Sequence, residues 1–174
     1  MAITKIQSES LNLADTYAFT GTVTGAGGVN TPYFSARTSA NQTPSDNVAT
    51  KIDFNSELLD SDNYYDTTNK RFTPQVAGKY YISVQAFFSS NTTSNLNTGI
   101  IAIYKNGSEV IRADNHYATN YPDSGYFIVE KIIDFNGSSD YVEAYATIDT
   151  VSGSGMMIYN TSSRNLFQGY KIIE

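Results

Sequence analysis

Apolar and polar residues alternate along much of this chain, which is the pattern of strands that are buried on one face only. The clearest case is AGKYYISVQAFF at positions 77–88, where every second residue is apolar. The face predicted to be buried consists of Tyr80, Ile82, Val84, Ala86 and Phe88. Because successive side chains of a strand point to opposite faces, Tyr81 and Phe87 fall on the face turned away from the core.

Two turn signals are flanked by strand pattern on both sides. In IIAIYKNGSEVIR, Asn106-Gly107 supplies the two residues of positive φ that a type I′ turn requires. In FIVEKIIDFNGSSDYVEAYA, a longer loop from Asn136 to Asp140 separates two further alternating runs. The sequence therefore predicts two β-hairpins, at 100–112 and 127–146.

Aromatic side chains recur on the faces that look away from the predicted core. Tyr141 and Tyr145 do so in the second hairpin, as Tyr81 and Phe87 do in the first strand. A single tyrosine is a common surface residue because it is amphipathic. Two packed sheets bury only their inner faces, however, so repeated outward aromatic residues favour an additional covering surface, and self-association is the simplest one.

Composition agrees with an all-β chain and argues against several functions. The 174 residues fit one compact domain, and only 16% of them are charged. The net charge is −6 and the basic residues are scattered, so nucleic-acid binding is not expected. No apolar stretch approaches the ~18 residues of a membrane span, so no membrane insertion is expected. The chain has no cysteine, which excludes disulfides and thiolate chemistry.

The first 31 residues differ from the rest of the chain. They lack the basic and apolar regions of a signal peptide and end in GTVTGAGG, a stretch typical of a linker. We interpret residues 1–31 as an arm that docks onto a partner, and residues 32–174 as the folded domain. The apolar residues predicted to make the docking contact are Ile3, Ile6, Leu11, Leu13 and Phe19.

Groups able to carry out chemistry are few. The single histidine, His116, lies near Asp114 in a polar stretch predicted to be a loop. The two could form a base with its orienting carboxylate or two metal ligands, but a solvated loop is the simpler interpretation. Asp60 and Asp62 stand in an acidic run whose oxygens could hold Ca²⁺ or could simply be solvated. No catalytic residue or cofactor is assigned, and the chain is not expected to be an enzyme.

A series of short motifs follows in a fixed order along the strand-forming part of the chain: Tyr65-Asp66, Phe72-Thr73-Pro74, Gly78-Lys79-Tyr80-Tyr81, Lys105-Asn106-Gly107, Asn136 to Val142, and Phe167 with Gly169 and Tyr170. Through these motifs the chain resembles the C1q-like domain over roughly residues 33–173. The resemblance implies an all-β, ten-stranded antiparallel jelly-roll sandwich of the tumour-necrosis-factor type, assembled as a homotrimer around an aromatic-rich axis. The implied candidates for subunit contacts are Tyr81, Phe87, Tyr141, Tyr145, Phe167 and Tyr170.

A second resemblance concerns the arm. ITKIQSESLNLADTYAFTGTVTGAGG is similar to the opening of bacteriophage virion proteins of the fibre and head-decoration types. It implies a virion structural protein: a trimeric capsid-decoration knob of the cement or head-fibre type, anchored to other virion proteins through its arm. A tail-fibre or receptor-binding tip is the alternative within the virion.

Two further classes remain open at this point. A secreted C1q-like module that recognises a glycan or a receptor is favoured by five Asn-x-Ser/Thr sequons and disfavoured by the missing signal peptide. The abundance of Tyr and Asn fits a sugar-binding surface as well as a subunit interface. A hydrolase on a jelly-roll scaffold would require paired acids in one groove, and nothing positive supports it.

Overall fold

The computed structural model describes residues 29–90, 94–154, 157–158 and 164–173. Within these ranges the chain is all-β, with twelve strands and no helix. The strands are β1 (Tyr33–Arg37), β2 (Thr50–Lys51), β3 (Ser56–Asp60), β4 (Tyr65–Asp66), β5 (Arg71–Phe72), β6 (Gly78–Ser89), β7 (Leu96–Lys105), β8 (Ser108–His116), β9 (Ser124–Phe135), β10 (Val142–Thr150), β11 (Met157–Ile158) and β12 (Leu166–Lys171). The all-β prediction is confirmed, and the number of strands exceeds the ten expected because four of the twelve consist of only two residues.

The strands form two antiparallel sheets packed face to face. Sheet A has the order β9, β6, β12, β1, β3, with β11 next to β6 beyond the end of β12. Sheet B has the order β4, β5, β10, β7, β8, with β2 beside β10 beyond the end of β5. This two-sheet arrangement is the jelly roll that the sequence resemblance implied.

Strand β6 forms where alternation predicted it and lies in the interior of sheet A. The five residues on its predicted inner face, Tyr80, Ile82, Val84, Ala86 and Phe88, are all fully buried. Its neighbour β9 buries Phe127, Val129, Ile133 and Phe135 against the same core. Burying a large apolar side chain is worth roughly 1.5–3 kcal/mol, so these positions determine which face of each strand turns inward.

Aromatic rings fill the core between the two sheets. Phe34 on β1 stacks on Phe72 of β5 with ring centroids 4.2 Å apart. Phe167 on β12 meets Phe34 edge to face at 4.8 Å and is fully buried. The sequence had placed Phe167 among the candidates for subunit contacts. Its side chain has no exposed surface in the subunit, so we remove it from that group.

One of the two predicted hairpins is present and the other is not. Asn106 and Gly107, with φ of 52° and 79°, connect β7 to β8 in the predicted two-residue turn. In contrast, β9 pairs with β6 and β10 pairs with β7, so the loop at 136–140 passes from sheet A to sheet B. The hairpin predicted for 127–146 is wrong because alternation reports which face of a strand is buried but not which strand lies beside it.

The loop between the sheets is held to the β7–β8 turn by Asp140. Its carboxylate accepts a hydrogen bond from the Lys105 ammonium at 2.8 Å and another from the Asn106 side-chain amide at 2.8 Å. It also accepts the Asn136 backbone N–H at 3.0 Å. The ammonium and these amide donors stabilise the ionised carboxylate and hold the pKa of Asp140 below its ordinary value.

Candidate interaction surfaces

The outer face of sheet A carries an apolar row that crosses four strands. The backbone register aligns Tyr33 with Tyr170, Tyr170 with Tyr81, and Tyr81 with Ile132. All four side chains point away from the core, and Ile132 is 56% exposed. The rings of Tyr81 and Tyr170 lie 5.4 Å apart between centroids. We call these four residues the apolar row.

A polar row lies next to the apolar row on the same face. It consists of Ser35, Gln168, Ser83 and Glu130, which are aligned by the same backbone register. The Ser83 hydroxyl donates to the Glu130 carboxylate at 3.2 Å. A hydrogen bond to Glu130 is the largest cause of a raised pKa of the Tyr81 phenol, because the neutral phenol donates to the carboxylate. The polar row therefore connects directly to the apolar row.

A second apolar group occupies the far end of the face. Phe87 is aligned with Tyr126 across β6 and β9, and Ile128 follows two residues later on β9. Tyr126 and Ile128 are about half exposed, and the Arg164 guanidinium lies 4.5 Å from the Phe87 ring centroid. Together with the two rows, these side chains make the surface that we call the sheet A face.

A cavity of about 320 Å³ opens at the β1 side of the sheet A face. It lies among Tyr33, Tyr81, Tyr170 and the exposed side chain of Leu59 on β3. A contiguous exposed apolar surface of this kind is uncommon on a monomeric soluble protein and marks an interaction site.

Tyr141 and Tyr145 lie on the opposite side of the sandwich, on the outside of sheet B. The Tyr145 ring stacks on Tyr104 with centroids 4.2 Å apart, and the Lys51 ammonium lies 5.9 Å from the Tyr145 ring. The Arg71 guanidinium lies 4.9 Å from the Tyr141 ring. Both tyrosines thus have partners within their own subunit, and no single flat interface can contain them together with Tyr81 and Tyr170.

Several residues of the sheet A face were missed by the sequence prediction. Tyr126, Ile128 and Ile132 stand in YFIVEKII, between the buried residues of β9. In the sequence these residues could have been found from the near-continuous apolar run. Such a run differs from the strict alternation of a strand that exposes one face to solvent. Tyr33 and Leu59 gave no comparable signal, because their strands β1 and β3 are short.

The acidic run folds into turns in which its carboxylates accept nearby backbone and hydroxyl groups. Asp60 accepts the backbone N–H of Tyr65 at 2.7 Å, and Asp62 accepts the Ser61 hydroxyl. Asp66 accepts the N–H groups of Thr68 and Asn69. Within the described ranges no group of three or more side chains suited to holding a metal ion is found. The contacts of Asp60 and Asp62 are those of turn-stabilising residues.

His116 and Asp114 lie at the end of strand β8, not in the loop that the sequence predicted. The Thr98 hydroxyl is hydrogen bonded to His116 Nδ1 at 2.8 Å. Asp114 faces Arg112, with Oδ1 and Nε 3.8 Å apart. Each side chain therefore has a different partner, and the two do not form a base with its orienting carboxylate.

The arm residues Ile3, Ile6, Leu11, Leu13 and Phe19 lie outside the described residues. In the part of the chain that the structure describes, no helix is long and apolar enough to cross a membrane.

Comparison with known proteins identifies the architecture. The family model of the C1q domain matches residues 33–170. The globular domain of the zebrafish complement 1qA protein superimposes with a TM-score of 0.56 at 15% identity, covering 81% of this chain and 97% of that one. The TNF protein Eiger from S. frugiperda superimposes with a TM-score of 0.58 at 9% identity, covering 81% and 90% respectively. A comparison with curated protein sequences found no match.

Proposed function

The chain belongs to the C1q domain family, and from this premise we propose that it is a non-enzymatic homotrimer that recognises a ligand and whose subunits meet through the sheet A face. Domains of the C1q and tumour-necrosis-factor type form homotrimers and bind receptors or ligands. The observation that carries the proposal is the apolar row, which lies exposed across four strands of the subunit.

The sheet A face is stabilised if another surface covers it, and a second copy of the chain can do so. Removing apolar surface from water lowers the free energy. A subunit whose apolar row (Tyr33, Tyr170, Tyr81 and Ile132) stays exposed to solvent does not gain this stabilisation. A further copy of the same chain is always present where the protein is made, and a closed ring of three buries the face of every subunit. The polar row then offers hydrogen-bonding groups that favour one docking geometry over others.

The position of the residues just before β1 supports an assembly in which the arms of the three subunits begin close together. Asn30, which precedes β1, lines the same cavity as Tyr33 and Tyr170, so this part of the chain lies beside the face that the trimer would bury. In a threefold assembly the three arms would start close to one axis. This geometry suits a knob that is tethered at one end.

Within this class we propose a virion setting, in which the trimer is a capsid-decoration knob and residues 1–31 dock onto other virion proteins. The resemblance of the arm to the opening of bacteriophage virion proteins is the observation that favours it. A tail-fibre or receptor-binding tip has the same subunit design and differs only in its position on the particle. Immunogold labelling of intact particles distinguishes head from tail.

A secreted module that recognises a glycan or a receptor is the second candidate. The observation that favours this candidate is the fold, which the chain shares with the globular domain of the zebrafish complement 1qA protein. Absence of the protein from purified particles, together with its presence in a secreted fraction, would favour this candidate over the virion.

Sedimentation velocity of the purified protein tests the trimer. We expect the full chain to sediment as a species of three times 19.1 kDa, and a variant lacking residues 1–28 to sediment as a trimer of its own smaller subunit. We also expect only the full chain to associate with particles. A folded species of 19.1 kDa at micromolar concentration would contradict the proposed assembly, and particle binding by the shortened variant would contradict the role of the arm.

A further inference from the structure

The outer face of sheet B contains a recess built around one small side chain. The register aligns Lys51, Tyr145, Ala102 and Arg112 across four neighbouring strands, from β2 to β8. Three of these are long side chains and Ala102 ends at a methyl group, so the surface is depressed at Ala102. The depression has a volume of about 200 Å³ and belongs to the face opposite the proposed trimer contact.

One wall of the recess is aromatic. Tyr104 and Tyr145 lie on adjacent strands with ring centroids 4.2 Å apart and ring planes inclined by 32°. Their hydroxyl groups add polar atoms to an otherwise apolar wall. Ile100 and Thr147, which are paired across β7 and β10, line another side.

The other wall is charged and retains hydrogen-bonding capacity. Glu109 and Arg112 both line the recess, with Oε1 and Nε 4.0 Å apart. The second carboxylate near Arg112 is that of Asp114, at 3.8 Å. N–H···O hydrogen bonds span about 2.7–3.2 Å. At these longer separations the contacts leave guanidinium donors and carboxylate acceptors available to a ligand.

We infer that this recess binds one pyranose ring of a neutral saccharide. A sugar ring presents C–H groups on its flat faces and hydroxyl groups around its edge, so it requires an apolar wall and polar groups that both donate and accept. The pair Tyr104 and Tyr145 supplies the first, and Glu109 with Arg112 supplies the second.

Size and charge restrict the ligand further. Pockets that enclose drug-sized molecules measure ~300–1,000 Å³, so a recess of about 200 Å³ accommodates one ring of a longer chain. Beside Arg112 stand two carboxylates, that of Glu109 in the lining and that of Asp114 next to it. The Lys51 ammonium nearby is already paired with the carboxylate of Glu143. The protein also has a net charge of −6. An acidic sugar would meet repulsion here, and a neutral one would not.

This site deepens the proposed function and depends on it for avidity. With the sheet A face buried in a trimer, three recesses would point outward on one particle-bound knob. Several weak sites on one body reach useful avidity when the target is a repetitive surface glycan. A single recess is therefore expected to bind with a dissociation constant on the order of 1 mM.

Saturation-transfer difference NMR on the full-length protein tests the inference. The probes are the methyl glycosides of glucose, galactose, mannose and N-acetylglucosamine, with N-acetylneuraminic acid as the acidic comparison. We expect saturation transfer to at least one neutral glycoside and none to the acidic sugar. We also expect shifts of the Ala102 and Thr147 backbone amide signals on titration with that glycoside.

Two matched variants locate the binding. Ala102→Leu fills the recess, and Thr98→Leu places a leucine on the same strand and face, four residues away. We expect at least a tenfold loss of affinity for Ala102→Leu and a change of less than twofold for Thr98→Leu. If Ala102→Leu does not fold, Arg112→Ala on the exposed rim takes its place with the same expectation.

Absence of transfer to all four neutral glycosides would overturn the inference, as would transfer to the acidic sugar alone or equal binding by Ala102→Leu. Sedimentation of the same samples separates this failure from that of the proposed assembly. If the protein is a trimer and binds no sugar, only the proposed sugar site is contradicted. A monomer that binds the glycoside contradicts the assembly only.

Discussion

Tyr81 on β6 and Tyr170 on β12 face each other across two paired strands, with their rings 5.4 Å apart on the side of the sheet that has no core above it. Tyr33 and Ile132 extend this pair to either side. The pair therefore lies inside an apolar row that a subunit alone leaves wet. Placing a charge in this row is the direct way to test whether other subunits cover it.

Ile132→Glu is expected to dissociate the proposed trimer. Burying the new carboxylate without a partner opposes association, and we expect the concentration at half-dissociation to rise by at least ~tenfold. For a trimer that dissociates to monomers this is a hundredfold change in the dissociation constant, or about 2.8 kcal/mol per trimer. Val151→Glu is the matched control, because Val151 and Ile132 are both 56% exposed in the subunit. Sedimentation velocity over a dilution series measures both variants.

Ile132 and Val151 are exposed to the same fraction in the subunit, so a large difference in association between the two glutamate variants reports the interface. Equal sedimentation of Ile132→Glu and Val151→Glu would argue that the apolar row is not buried by assembly. Circular dichroism of both variants checks that each remains folded.

Gly99→Ala is expected to destabilise the sandwich. A Cβ added at Gly99 on β7 would lie 2.2 Å from Cζ of Phe127, whose ring projects from β9 across the space between the sheets. Either the ring or the sheet must move, which typically costs about 1–3 kcal/mol. Chemical denaturation at one fixed protein concentration measures the loss.

The partner residue provides the control for Gly99. In a Phe127→Leu background the shorter side chain leaves room for the added methyl, so Gly99→Ala is expected to cost less there than in the natural chain. An equal cost in both backgrounds would mean that the ring contact is not the cause.

Tyr80→Phe is expected to change how stability depends on alkaline pH. The Tyr80 hydroxyl donates to the Val76 carbonyl at 2.8 Å, and burial raises the pKa of Tyr80 from 10.0 to about 12. The folded state therefore keeps the proton longer than the unfolded state does. Stability from this group is complete below pH 10 and is lost as the pH rises from 10 towards 12.

The measurement is urea denaturation of both proteins at several pH values from 8 to 11. At pH 8, Tyr80→Phe is expected to be less stable by about 0.5–1.5 kcal/mol because the hydrogen bond is lost. Above pH 10 the difference should narrow, since the variant has no phenol to ionise at this position. A difference that stays constant up to pH 11 would contradict the raised pKa of Tyr80.

Asp140→Asn is expected to lower the melting temperature at neutral pH and to lower it by less at acidic pH. The Lys105 ammonium and the Asn106 amide hold the pKa of Asp140 below its ordinary value of 3.8. A carboxyl group whose pKa is lower in the folded state stabilises that state at pH values above its pKa in the unfolded state. This contribution disappears as the pH falls below about 4. Melting at pH 7 and pH 3 measures the difference.

Asp134→Asn serves as the control for Asp140. The Asp134 side chain is 80% exposed, and its nearest ammonium, that of Lys79, lies 3.7 Å away. Exposed ion pairs of this kind contribute little, so we expect a much smaller shift for Asp134→Asn. Equal shifts for the two variants would show that the contacts of Asp140 do not hold the loop.

Local pattern was sufficient to predict the buried face of the longest alternating run. The inner residues of β6 were all predicted, because this strand alternates strictly and burial of one face determines its orientation. The two-residue turn at Asn106 and Gly107 was also predicted, since it depends on the backbone preferences of those two residues alone. The second turn was wrong because its sequence allows a crossing between sheets as readily as a hairpin.

The candidate surface was predicted only in part for the same reason. Three of the predicted contact residues lie together on the sheet A face, where one contact surface can include them all: Tyr81, Phe87 and Tyr170. Tyr141 and Tyr145 also point away from the core, but from the other sheet, and Phe167 points inward. Alternation distinguishes two sides of one strand and carries no information about which sheet that strand joins.

By itself the sequence determined that the domain is all-β and which side of β6 is buried, and it predicted that Tyr81 and Phe87 lie on the opposite side. Only the tertiary structure decided that Tyr33, Tyr170, Tyr81 and Ile132 form one row and that Ala102 lies between Tyr145 and Arg112. The reason is that side-chain alternation is a property of neighbouring residues, whereas strand order depends on contacts between residues far apart in the chain. Surfaces made from four strands exist only after that order is established.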